Sequence, residues 1–321
     1  MSRRLLSQQN GRFEVNTKGG TKIALVHTLT ERVMVRYPHL ERRRLPVPIF
    51  SIVSIFIHSN IFIALAATSV AVSTILLVGQ PLDPIPLFIV FAATLFVYSI
   101  NRLTDIEEDA KNVPHRAAFT NVYGRKIFLV GIGLYLIAII IGIGYQLPMV
   151  EFLVVPVLFG FTYSMYRLKR LLLVKNMLVG IGWGVIPLGV GVYYDVLWSI
   201  EIFVMAGFIA VMLTIAAALF DIKDIAGDRA SGIRTGPVVY GSQLTRQAAA
   251  VSTVCVGLFI LLALFLGLIP TKFILLLGHV GYLLASIPFA STGRSALFYG
   301  GVIDGEHIFL ACLIAIATML I

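Results

Sequence analysis

The chain has 321 residues, 58% of them hydrophobic and 13% charged, with a mean hydropathy of +0.93. That balance excludes an ordinary soluble globular domain and points to a polytopic membrane protein. The formal net charge of +9 invites a nucleic-acid reading, but its distribution along the borders of apolar stretches argues against one, and no nucleic-acid partner is expected.

Residues 1–49 are rich in Lys and Arg and lack the compact apolar core and cleavage pattern of a signal peptide, so no cleaved targeting segment is expected. Within them, 22–36 sets Ile23, Val26, Leu29, Val33 and Met34 among polar and basic positions, a pattern suited to the surface of an anionic membrane, and Arg42, Arg43 and Arg44 keep the segment out of the bilayer. The expected organisation is a basic interfacial segment, 1–49, followed by a transmembrane domain, 50–321.

Nine apolar stretches follow, at 50–78, 85–100, 127–145, 148–166, 177–197, 202–220, 248–269, 273–290 and 302–321. Hydrocarbon offers backbone groups no water, and a barrel would show short alternating segments instead, so these stretches are predicted to be helices in an all-α bundle. His58 and Asn60 in the first stretch read as a hydrogen-bonded structural pair, with the alternative that they face the cavity and help position the acceptor. Asp304, Glu306 and His307 near the start of the last read as interfacial or helix-end charges, and Cys255 and Cys312 as small packing residues.

With nine spans, every Lys and Arg of the 25 except Lys272 falls on one face. The positive-inside rule makes that face, and the N-terminus, cytoplasmic, and the expected location is the cytoplasmic membrane. Two acidic clusters lie on the same face. The first closes the second stretch, with Asn101, Asp105 and Asp109 at i, i+4, i+8; the second follows the sixth, with Asp221, Asp224 and Asp228 at i, i+3, i+7. If the helices continue, each set shares one helical face. The same offset relates Asp105 to Asp224 and Asp109 to Asp228, which reads as a loose internal repeat.

One such cluster is explained well enough by solvated helix ends, but two of matching spacing on one face would repel each other unless cations sat between them. The ligands on offer are hard oxygens, which suit Mg²⁺, expected as two ions, with substrate phosphates completing the shell. A diphosphate so neutralised is a good leaving group, and departure from an allylic carbon leaves a cation that an apolar cavity keeps from water. Asn101, Asp105, Asp109, Asp224 and Asp228 are therefore the expected metal ligands. Arg116, Lys169, Arg170, Lys223 and Arg229 are candidates to contact diphosphate, although cytoplasmic anchoring also accounts for basic residues in these loops. Asp221 is a candidate for deprotonating the acceptor.

These motifs resemble the UbiA superfamily of intramembrane prenyltransferases, which make quinone, tocopherol, haem, chlorophyll and archaeal lipid precursors. The resemblance covers residue 50 to the C-terminus and rests on N-x-x-x-D-x-x-x-D at Asn101, Asp105 and Asp109, and D-x-x-x-D at Asp224 and Asp228. It implies a nine-helix bundle and Mg²⁺-dependent transfer of a prenyl group from an isoprenyl diphosphate to a lipophilic acceptor: an aromatic quinone precursor, a tetrapyrrole or a lipid alcohol. The 163–170 segment is similar to the family's Tyr-then-Lys/Arg motif, which adds Tyr163 to the diphosphate-binding set, and Arg116 stands where a phosphate-contacting Arg is expected. Arg102 is a departure, because many members carry Asp directly after the motif Asn. A transporter or channel with intramembrane carboxylates is the alternative, and it predicts charges near mid-membrane rather than at span ends.

Overall fold

The computed structural model describes residues 52–148, 150–156, 158 and 172–320, and all regular structure among them is helical. The elements are α1 (Ile52–His58), α2 (Ile61–Leu77), α3 (Pro84–Thr104), α4 (Ile106–Asn112), α5 (Pro114–Gly144), α6 (Val174–Tyr193), α7 (Ile200–Ala230), α8 (Gly236–Phe265), α9 (Leu276–Ser286) and α10 (Glu306–Leu320). Short 3₁₀ turns flank α9, and a π-helical turn, Tyr299–Ile303, leads into α10. Among the described residues seven helical segments are each long and apolar enough to cross a membrane, and the bent pair α1 and α2, counted as one span, makes an eighth. Most of the expected fourth span, 148–166, lies outside the described residues, as does the N-terminal segment 1–49; Val150–Val154 at its start is a 3₁₀ turn.

The expected continuous span 50–78 is broken. α1 and α2 meet at 67°, and Asn60 at the joint has φ 65°. That left-handed conformation is one Asn tolerates better than most side chains. Other helices outrun their apolar stretches. α5 begins at Pro114, a residue suited to the first helical turn because its missing N–H would be unsatisfied there anyway. α7 continues past Phe220 to Ala230, so the second acidic cluster lies on the helix itself.

α7 is the central helix, packed against α2, α4, α6 and α8, and half of its membrane window is buried; for α5, at the periphery, the figure is 22%. The outer faces of α5 and α8 present Leu129, Leu136, Ile140, Leu258, Phe259 and Leu262, a lipid-facing surface. Lipid is as apolar as these side chains, so helix association depends on close packing and small residues. α6 supplies them. A Cβ added to Gly180 would lie 2.2 Å from the carbonyl oxygen of Ala210 and 2.1 Å from Thr214 Oγ1, and one on Gly184 would lie 3.0 Å from the carbonyl oxygen of Ala206. At the far end of the same helix, Tyr193 donates to Asp83 Oδ2 at 2.7 Å while the other oxygen of Asp83 caps α3 through Ile85 N at 2.8 Å.

Gly180→Val should therefore force α6 off the backbone of α7 at a cost of roughly 1–3 kcal/mol, the usual range for overpacking. Thermal unfolding in detergent checks this against Gly133→Val as a control, since a Cβ at Gly133 meets nothing within 4 Å. Equal midpoints for the two variants would show that this contact does not hold the bundle together.

Candidate active site

The first motif lies across a helix break. α3 ends at Thr104, and Asp105, with φ −101° and ψ 14°, separates it from α4. The hydrogen-bond ladder nevertheless keeps its register, from Asp105 N to the carbonyl of Asn101 (2.9 Å), Asp109 N to that of Asp105 (2.8 Å) and Val113 N to that of Asp109 (2.7 Å). Asn101, Asp105 and Asp109 thus stay on one side of the chain and line a single cavity, which Asp221 and Asp224 enter from α7. The cavity measures about 880 Å³, toward the upper end for ligand pockets. On α3 its lining runs from Pro86 to Arg102, about 24 Å at ~1.5 Å per residue. Acidic and basic groups gather at the α4 end, while Ile63, Val90, Val97, Ile186 and Leu213 line the body.

Asp109, Asp221 and Asp224 at this end each have a defined partner. Asp109 is buried and accepts from both Arg116 Nε, at 2.9 Å, and Arg116 Nη2, with Arg102 Nη1 at 3.8 Å. Burial alone pushes Asp109 up, but Arg102 and Arg116 outweigh it and hold the carboxyl below its ordinary value, so it is an anion here. Asp221, also buried, accepts from Lys175 Nζ at 2.8 Å and Asn176 Nδ2 at 3.0 Å. Asp224 accepts from Lys223 through one oxygen, and its other oxygen, Oδ1, is buried with no hydrogen-bond partner. Lys223 in turn lies 5.5 Å from the ring of Phe220 and 5.7 Å from that of Tyr299, where aromatic faces favour its charge.

The donor set fits a hard divalent cation. Asn101, Asp105, Asp109 and Asp224 offer only oxygen, and the orphaned Asp224 Oδ1 is a buried acceptor of the kind a cation satisfies. Magnesium suits these ligands, and Arg116, Lys175 and Lys223 line the same cavity.

The remaining candidates divide. Asp228, on the turn after Asp224, is fully buried, with Thr235 Oγ1 3.4 Å from its Oδ2, and does not belong to the cavity lining. Arg229 is exposed beyond it. Tyr163, Lys169 and Arg170 lie outside the described residues.

Several lining residues carry no motif signal. Arg102 reaches Asn60 Oδ1 at 3.4 Å, and Asn60 and His58 both line the cavity. Asn112 sits where Gly227 lets α7 come close: a Cβ on Gly227 would lie 1.6 Å from Asn112 Oδ1. The only sequence cue for Lys175 and Asn176 is that they open the span after a basic loop. Glu306 and His307 do stand at a helix end, in the first turn of α10, but are 0% exposed, which corrects their reading as interfacial charges.

A family model described as the UbiA prenyltransferase family matches residues 64–296. The digeranylgeranylglyceryl phosphate synthase of Methanothermobacter thermautotrophicus is 30% identical over 164 residues, 50% of this chain and 57% of that protein, so the chain spans little more than half the length of this relative. Among solved structures, the fold resembles the apo structure of a UbiA homolog from Aeropyrum pernix K1, with a TM-score of 0.57 and 14% identity over 80% of this chain and 97% of that one. It also resembles a UbiA homolog from Archaeoglobus fulgidus bound to DMAPP and Mg²⁺, with a TM-score of 0.55 and 12% identity over 81% and 99% of the two chains. At these identities the likeness to the solved structures is one of fold.

Mg²⁺ at about a hundredfold over its dissociation constant should stabilise the folded chain by about 2.7 kcal/mol. Asp105→Asn and Asp224→Asn should lose most of that gain when thermal midpoints are followed during Mg²⁺ titration in detergent. A gain that survives in both variants would place the metal elsewhere.

Proposed function

The chain belongs to the UbiA prenyltransferase family, and we propose that it transfers a prenyl group from an isoprenyl diphosphate to a lipophilic acceptor inside the membrane. The observation that carries this reading is the single cavity in which Asn101, Asp105 and Asp109 face Asp224, with Arg116 and Lys223 beside them, at one end of a long apolar chamber. A transporter would be better served by charges near mid-membrane. That a Methanothermobacter relative is a digeranylgeranylglyceryl phosphate synthase, and that a structural neighbour binds DMAPP and Mg²⁺, agrees with prenyl diphosphate chemistry. The acceptor classes are a lipid alcohol, an aromatic quinone precursor and a tetrapyrrole.

In this mechanism Asn101, Asp105, Asp109 and Asp224 hold the metal, with Asp228 behind Asp224 completing the second motif. Magnesium, when bound, neutralises the charge that grows on the diphosphate as it leaves. Two ions are proposed, one for each motif. Arg116, Lys175 and Lys223 contact the diphosphate, and Tyr163, Lys169, Arg170 and Arg229 stay sequence-based candidates for the same role. The bond from the allylic carbon to diphosphate oxygen breaks with its electron pair on the oxygen. The apolar walls hold the prenyl tail and keep water from the allylic cation until the acceptor attacks. Asp221, fixed by Lys175 and Asn176, is the candidate to take the acceptor's proton. Because the basic residues flank this end of the helices, the site is proposed to open to the cytoplasm from the cytoplasmic membrane.

Purified protein supplied with Mg²⁺, with geranyl, farnesyl or geranylgeranyl diphosphate, and with each acceptor class should release diphosphate in a chelator-sensitive manner and form a new prenylated product. Asp105→Ala and Asp228→Ala should each lower that rate by about 10²-fold or more while the protein remains folded in the membrane. Near-normal transfer by either variant would remove the two-motif mechanism, and release with no donor would remove the function itself.

A further inference from the structure

Apart from the carboxylate motifs, three ionisable side chains meet in the interior of the bundle: His279 on α9, and Glu306 and His307 at the start of α10. All three are 0% exposed. Neither ring nitrogen of either histidine and neither oxygen of Glu306 has a hydrogen-bond partner. Buried polar atoms are nearly always satisfied, so this many unsatisfied ones at a single point call for a ligand.

The distances indicate which. His279 Nε2 lies 3.4 Å from Glu306 Oε2, and His307 Nε2 lies 3.7 Å from Glu306 Oε1. These contacts do not make hydrogen bonds, yet they are close to the edge of a tetrahedron, about 3.3 Å, around a metal with bonds of about 2.0–2.1 Å to nitrogen and oxygen. Each imidazole faces a different oxygen of one carboxylate, so the three residues supply three corners of a tetrahedron and leave the fourth to a water. One donor atom from each of the three residues lies within 4.8 Å of the others. Around them the surface is aromatic, with Trp183 against His307 at a ring separation of 4.9 Å and Phe208 against His279 at 5.4 Å. Asp304, two residues before Glu306, lines the cavity side.

We propose that His279, Glu306 and His307 bind one transition-metal dication of the zinc class, at a site separate from the magnesium motifs. Two imidazoles favour such an ion over magnesium, which prefers oxygen and keeps several waters. The metal joins α9 to α10 and, through Trp183, which lines the cavity, supports the wall of the prenyl chamber from behind. Its role is structural, and it takes no part in the transfer.

The test is elemental analysis of the full-length protein purified in detergent from zinc-supplemented cells, and visible spectroscopy of the same protein from cobalt-supplemented cells. The expected result is about one zinc per chain and, with cobalt, the intense d–d absorption of a four-coordinate site. Both should remain in Asp105→Asn and disappear in the combined variant His279→Leu, Glu306→Leu, His307→Leu. That variant is expected to fold, because well-packed apolar side chains commonly replace a buried ionic cluster without loss of the native structure. A wild-type chain holding magnesium alone or no metal overturns the proposal, as does metal content unchanged in the combined variant. Should that variant fail to fold, X-ray absorption of the zinc-loaded wild type decides instead: scattering from two imidazoles supports the site, and its absence overturns it.

Discussion

Carboxylates gathered in an apolar bundle must be compensated, and the polar end of this protein is organised around that requirement. Two like charges 4 Å apart repel by about 4 kcal/mol at an effective dielectric of 20, and the same geometry with opposite charges attracts as strongly. Asp109 is accordingly held by Arg116 and faced by Arg102, Asp221 by Lys175 with help from Asn176, and Asp224 by Lys223. The basic partners come from α3, α5, α6 and α7, so charge neutrality is achieved only when those helices are assembled. These cations are also the groups a diphosphate would need, which makes one set of residues serve both the folded chain and the proposed substrate.

Such an arrangement demands that helices carrying opposite charges approach closely, and small residues make the approach possible. Gly180 and Gly184 bring α6 onto the backbone of α7, which places Lys175 and Asn176, one or two turns earlier on α6, against Asp221. Gly227 does the same between α7 and α4, where Asn112 fills the space a Cβ would take. That contact lies between Asp224 and Asp228 in sequence and thus sets the distance between the two motifs. The packing and the electrostatics are two aspects of one constraint, because neither the glycine contacts nor the ion pairs would form at a longer helix separation.

Hydropathy made the helical membrane fold and most of its spans legible, because a run of apolar residues is a local property. The spacing of Asn101, Asp105 and Asp109 was equally readable, since the hydrogen-bond register persists through the break at Asp105. The break itself was not, nor was the 67° bend at Asn60, whose residue meets Arg102 far along the chain. Glu306 and His307 show the same limit more sharply. Their polarity beside the last apolar stretch suggested an interface, whereas their burial is determined by His279 on α9 and Trp183 on α6, and no window on the sequence contains those residues together.

Arg102 ties these points to the first motif. Many sequences of the family resembled here carry Asp directly after the motif Asn, so this chain exchanges a negative charge for a positive one beside the expected metal ligands. An arginine there needs acceptors, and it has them: Asn60 Oδ1 at 3.4 Å and Asp109 at 3.8 Å. The left-handed turn that breaks the first span is what brings the Asn60 amide to the guanidinium, so the bend and the substitution are best understood together. With one acid fewer, the proposed cation binding at the first motif would fall more heavily on Asn101, Asp105 and Asp109. Arg102 meanwhile adds a fixed positive charge to the end of the cavity where the diphosphate is proposed to bind, which shifts part of the task of neutralising that anion from metal to protein.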